Sequence, residues 1–218
     1  MVTNKRWRSG IDPAELLMGH GSGQSRVQFK AGETIFTQGD HADALFYLER
    51  GWIKISVVTP GGKEAVVGLR GKGEFFGLGS LVGQRHVTAT TLTDSLAIRI
   101  TTAAFVHLLR HETEFAETFT TYLVGQHIRD QESLVDHLTA SAEKRLAHTL
   151  IRLAEVKHDD AAEVPFQVNQ TMLAEMVGTT RPRINYFINK FKRHGFIDDE
   201  GPGRIRVYDR LRDFLSRA

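Results

Sequence analysis

The residues of this chain best suited to chemistry are Thr179, Thr180, Arg181, Arg183, Asn185, Tyr186, Asn189, Lys190 and Arg193, which crowd hydroxyl, guanidinium, amide and ammonium groups into a short span without one carboxylate. Such groups donate hydrogen bonds to phosphate oxygens and read the edges of bases, so what they offer is recognition of a nucleic acid. Nothing in the span pairs a nucleophile with a base.

Other chemistries are excluded by what the chain lacks. There is no cysteine, which removes disulfides, thiolate zinc sites, thiol nucleophiles and iron–sulfur clusters. No P-loop, dinucleotide fingerprint or nucleophile–base arrangement occurs, and the chain is not expected to be an enzyme. A metal-dependent β-barrel enzyme would need clustered ligands such as His-x-His beside an acid, and no His-x-His is present among the ten histidines. His107, His111, His127, His137 and His148 fall instead on a helical stretch; His107 and His111 have the i, i+4 spacing of a metal pair but no carboxylate of known position, and no metal site is assigned. No apolar run reaches membrane-spanning length and no signal peptide is evident, so a soluble cytoplasmic protein without a membrane partner is expected. The net charge of +2 requires any basic surface to be local.

The elements that must position the polar span can be read on either side of it. Ile184, Phe187 and Phe191 recur at helical spacing and leave the polar groups on the opposite face. Pro182 suits the first turn of that helix, where its missing N–H costs no hydrogen bond, and Gly195 provides the exit. Upstream, Asn169 is an N-cap for a helix over 170–177 that Gly178 ends. Ala174 keeps the first helix small where the second approaches, and Leu173 and Val177 supply its apolar face, which makes the pair a helix-turn-helix. Phe196–Ile197 and Arg204–Tyr208 then read as two short strands around a tight loop, a wing with outward arginines. Val164–Val168 reads as a short edge strand because Pro165 lacks a donor.

The rest of the chain changes texture once. Fifteen of the twenty glycines lie before residue 84, between short apolar runs such as Leu45–Leu48 and Trp52–Val57, and this predicts a small all-β sandwich or barrel over about 25–100 with a hairpin turn at Thr59–Lys63. From Thr102 to Lys157 there is no proline and one glycine, which predicts helix. Phe119, Leu123, Leu134 and Leu138 recur along it and point to a dimer interface. Polar Gln126, His127, Asp130 and Gln131 interrupt the stripe, so covering the β domain is the alternative.

Three stretches together, FKAGETIFTQGDHADALFYLERGWIKI with Gly32, Gly39 and Gly51 at its turns, GKGEFFGLGSLVG, and NQTMLAEMVGTTRPRINYFINKFKRHGFI, resemble the Crp/Fnr superfamily of bacterial transcription regulators. The resemblance runs from about residue 25 to the end. It implies an α+β chain: an N-terminal segment (1–24), a cyclic-nucleotide-binding-like β jelly roll (25–110), a dimerisation helix (111–140) and a C-terminal winged helix-turn-helix (141–218). It also implies a homodimer on a palindromic operator in double-stranded DNA, RNA polymerase as a partner, and a small-molecule effector. The candidate effector pocket is Gly77, Leu78, Gly79, Ser80, Arg85, His86, Val87, Thr88 and Ala89, with Asp130 and Gln131 on the helix.

Departures from the family pattern are specific. Where cyclic-AMP binders carry a glutamate after the first glycine and an arginine before Ser/Thr, this chain has Leu78 and Val87, which supply neither an acceptor for a ribose hydroxyl nor a cation for a phosphate. Cyclic AMP is therefore not expected to act in the usual way; the alternative is a cyclic-AMP-responsive regulator in which Arg85 serves from a shifted position. One branch of the family ligates haem through a residue placed like His86. On the reading helix Arg181 is retained, while Pro182 stands where the family has an acid and Tyr186 where it has a second arginine. A module that regulates a partner protein would leave the winged helix without a role.

Overall fold

The computed structural model describes residues 13–19, 23–62, 64–154, 161–164, 166–199, 201 and 203–216. Most of the N-terminal segment, Lys63 of the hairpin turn, residues 155–160, Pro165, and Glu200 and Pro202 of the wing loop lie outside the described residues. The chain forms two compact units, residues 1–130 and 131–218.

The first unit is a β sandwich. One antiparallel sheet has the order β1 (Gln24–Phe29), β8 (Ser95–Thr101), β3 (Ala44–Arg50), β6 (Phe75–Phe76); the other has β2 (Thr34–Phe36), β7 (Thr88–Thr91), β4 (Ile53–Val58), β5 (Glu64–Arg70). Phe36, Ile53, Ile55 and Ala89 from the second sheet meet Phe46, Leu48, Phe76 and Ala97 from the first in one buried cluster. Strand β3 is buried on both faces, which is why Leu45–Leu48 is a continuous apolar run. Its other face, Leu45 and Tyr47, joins Phe75, Ile98 and Ile100 beneath helix α1 (Pro13–Gly19), helix α2 (Thr102–His111) and the start of helix α3 (Thr113–Thr139).

That second cluster corrects one expectation. Phe119 is 3% exposed and packs on Phe75 and Phe105, with ring centroids 5.3 and 4.9 Å apart, so it belongs to its own protomer's core and cannot form a dimer face. The helical stretch expected over 102–157 is divided by two breaks. Glu112 adopts extended backbone (φ −112°, ψ 91°) between α2 and α3, and a second break precedes helix α4 (Ala142–Ala154), where the Ser141 hydroxyl accepts a bond from Lys144 N at 3.3 Å. Neither break needs Gly or Pro; a cap and the demand of the core suffice.

In the second unit α4 packs against helix α5 (Gln170–Val177), helix α6 (Arg181–Arg193), helix α7 (Arg210–Ser216) and β11 (Ile205–Tyr208). Strand β11 lies between β10 (Ile197–Asp199) and β9 (Ala161–Glu163) in an antiparallel sheet. The edge strand thus sits just before its predicted place: Ala161–Glu163 pair with β11, and beyond them Val164 N and Val168 N reach Ile205 O and Gly203 O. Two acceptors on and just before β11, more than local alternation, decide where that strand runs.

Candidate nucleic-acid interface and effector loop

Helix α5 begins where Asn169 Oδ1 accepts Met172 N at 2.7 Å, and ends at Gly178, whose left-handed backbone (φ 68°, ψ 45°) would strain any residue with a Cβ. Gly178 N and Thr179 N both turn back on Ala174 O, and α6 starts two residues later with Thr180 O accepting Ile184 N. Ile184, Phe187, Ile188 and Phe191 are buried. This fixes the rotation of α6 and turns Arg181, Arg183, Asn185, Tyr186, Asn189 and Arg193 to solvent, with Thr180 exposed and Thr179 half-buried at the turn. Tyr186 is 59% exposed, and the Arg183 guanidinium lies 5.9 Å from the Phe187 ring. Asn185 Oδ1 accepts from Gln170 Nε2 at 3.1 Å and Asn189 Nδ2 at 3.4 Å, which holds its amide across the two helices.

Lys190 departs from the sequence reading. Its Nζ lies 2.7 Å from Glu143 Oε1 of α4, a partly buried ion contact in which, among the described residues, Oε1 accepts no well-directed hydrogen bond. Lys190 therefore ties α6 to α4 before it can serve a phosphate. Sequence reasoning also missed Arg145, whose Nε donates to Val177 O at 2.9 Å and Nη1 to Ala140 O at 2.8 Å, closing the carbonyl ends of two helices with one side chain. It missed Phe214 of α7, 5.6 Å from the Phe191 ring. An arginine or phenylalanine at those positions carries no local signal. On the wing, Arg204 is exposed, Arg206 is tied to Glu163 at 3.0 Å, and the Tyr208 hydroxyl donates to Asp198 Oδ2 at 2.6 Å, which raises the Tyr208 pKa above the ordinary phenol value.

The effector loop follows β6 as a 3-10 turn, Leu78–Val82, capped by Gly77. Leu78 packs against the helix-side core and Val87 against the inner sandwich core, so both act as packing groups. Ala89 is fully buried in β7, the Thr88 hydroxyl accepts Gln38 N at 3.0 Å, and His86 is exposed. Arg85 is 5% exposed. Its backbone N–H reaches Asp40 O and its carbonyl accepts Gly39 N, while its Nη1 donates to Gly77 O at 3.0 Å and its guanidinium stacks 4.1 Å above Phe36. A Cβ on Gly77 would stand 2.8 Å from that Nη1, so the absence of a side chain there makes the guanidinium's place. Burial lowers the Arg85 pKa, with Asp43 and Asp40 opposing. Among the described residues, Arg85 Nε and the buried Ser80 Oγ have no hydrogen-bond partner.

Asp130 and Gln131 are exposed on α3, and the Asp130 carboxylate accepts from Gln126 Nε2 at 3.4 Å. Leu123, Leu134 and Leu138 are 39%, 59% and 76% exposed. Among the described residues no group of three or more His, Cys, Asp or Glu side chains is placed to hold a metal ion, and no helix is long and apolar enough to cross a membrane.

A β sandwich with an apolar-lined loop, a long helix and a winged helix-turn-helix define a two-part DNA-binding protein. Residues 26–112 match the cyclic nucleotide-binding domain and residues 144–214 the Crp-like helix-turn-helix domain. The chain belongs to the Crp/Fnr family and is a DNA-binding transcription regulator, not an enzyme. The CRP-like cAMP-activated global transcriptional regulator of Mycobacterium tuberculosis is 28% identical over 180 residues, 80% of each chain. The cyclic AMP receptor protein of Thermus thermophilus is 26% identical over 201 residues, 91% of this chain and 90% of that one. Among solved structures, the c-di-GMP responsive global regulator CLP of Xanthomonas campestris shares the fold at TM-score 0.72 and 20% identity, covering 90% of this chain and 97% of that one. A CRP-family regulator of Thermus thermophilus does so at 0.73 and 22%, covering 87% and 96%.

Proposed function

We propose that this regulator works in the cytoplasm as a homodimer, reads a palindromic operator with Arg181, Arg183, Asn185, Tyr186, Asn189 and Arg193 of α6, and acts on RNA polymerase without using cyclic AMP in the usual way. The observation that carries the operator reading is the exposed, acid-free donor face of α6, held in rotation by its four buried residues. Helix α6 enters a major groove, Arg181 meets a guanine edge, and Thr179, Thr180 and Arg193 meet phosphates. Leu123, Leu134 and Leu138, exposed on α3, meet a second copy.

The effector reading rests on Arg85. In cyclic-nucleotide chemistry a guanidinium must face the ligand's phosphate, whereas this one bonds Gly77 O and stacks on Phe36. A second reading, in which Arg85 swings out to take cyclic AMP, is favoured by its unpartnered Nε and by the two relatives named for that nucleotide. The deciding experiment selects an operator from random duplexes and titrates it with and without cyclic AMP. Tight, unchanged binding supports the proposal; a nucleotide-dependent gain that Arg85→Ala removes supports the second reading.

A further inference from the structure

We propose that His107 and His111 form a two-imidazole binding site for a late first-row divalent metal ion, Cu²⁺ before Ni²⁺ or Zn²⁺. The proposal is independent of the operator and effector readings. The two residues lie one turn apart on α2, both exposed, with ring centroids 4.3 Å apart and ring planes 38° apart. Among the described residues neither imidazole makes a hydrogen bond, so each keeps a ring nitrogen able to bind an ion. Imidazole nitrogens bind such ions at about 2.0–2.1 Å, and two rings this close can bracket one ion with a change of side-chain torsion alone.

The helix beneath the pair is preorganised. Phe105 and Leu108 of α2 are buried in the core, and Thr101 Oγ1 caps the first turn by accepting Ala104 N. Two ligands on one fixed helix need not be gathered from separate loops, so little ordering cost opposes chelation. His111 also lies in the last turn, beside Arg110, at the negative end of the helix dipole, which favours a cation. With no third protein ligand among the described residues, water completes the coordination. Imidazole donors select copper, nickel and zinc and give nothing to magnesium or calcium, which require oxygen. An ion across 107 and 111 would brace the turn that leads through Glu112 into α3.

The test is calorimetric titration of chelator-treated full-length protein with copper, nickel, zinc and magnesium chlorides, repeated on His107→Ala and His111→Ala. The expected result is one saturable equivalent of copper, weaker nickel and zinc, no magnesium, and loss of that equivalent in either variant. Copper-bound protein should show coordination by two nitrogens in electron paramagnetic resonance, a signature that each variant should lack. The rings are exposed, so the metal-free variants should melt at the wild-type temperature. An equivalent that survives either substitution, or no copper binding at all, would overturn the proposal.

Discussion

Arg181 and Lys190 lie on one helix and carry the same sign, yet their surroundings assign them different work. Arg181 is exposed at the first position of α6 and unencumbered by the core. Arg181→Ala should cost about 1–3 kcal/mol on the selected operator and relax preference at one position per half-site, which a binding titration against single-base variants will read. Lys190 is held by Glu143. Lys190→Ala and Glu143→Ala should each lower stability by about 0.2–1 kcal/mol, and the double variant by less than their sum, in a urea-melting double-mutant cycle. The salt slope of DNA binding should stay at its wild-type value in Lys190→Ala but fall by about one in Arg193→Ala. The exposure of Arg181, Arg183, Asn185, Tyr186, Asn189 and Arg193 on one face of α6 was legible in the sequence because helical period and the missing acids are local facts. That Lys190 faces α4 was not, since a partner forty-seven positions away leaves no trace in periodicity.

At the scale of the element, helices α5 and α6 were readable almost to the residue because Asn169, Gly178 and Pro182 are caps and breakers whose effect depends on the backbone alone. Helix α3 was readable as a helix but not as a face. Periodicity says that a stripe is covered, and cannot say by what: Phe119 is covered by Phe75 and Phe105 of its own chain, while Leu134 and Leu138 stand exposed. The distinction yields opposed outcomes. Phe119→Ala should empty part of the core and destabilise the fold by about 3–5 kcal/mol without dissociating the assembly. Leu134→Glu should leave the protomer's melting behaviour intact and give monomers that lose operator binding, because two carboxylates would be desolvated side by side across a two-fold axis. Analytical sedimentation of both variants checks the pair, and a Leu134→Glu dimer would place the interface elsewhere.

Over the whole molecule, the sandwich and the winged helix are each complete folds, and what joins them functionally is whether a ligand in the first changes DNA binding by the second. Such control requires an effector that binds one state better than another. The loop after β6 is already fastened from inside: Arg85 links Asp40, Gly39 and Gly77 and lies on Phe36, and Ala42 N and Gln84 N close on Gly83 O and Gly79 O. For cyclic AMP to engage Arg85 it would have to break the bond to Gly77 O and remove the guanidinium from its aromatic seat, with no acid at position 78 to receive the ribose. A ligand that binds the folded state stabilises it by about 2.7 kcal/mol at a hundred times its dissociation constant, so binding cannot hide from a melting experiment. The expected outcome is a melting temperature flat against cyclic AMP and operator affinity equal with and without it. Arg85→Ala, by contrast, should lower the melting temperature, because Phe36 loses the guanidinium stacked on it and Gly77 O keeps Ser80 N but loses its second donor, while no ligand is present to compensate. A rise in melting temperature that saturates with cyclic AMP and vanishes in Arg85→Ala would mean that the arginine leaves its seat for the nucleotide, and that the loop is closed only until the effector arrives.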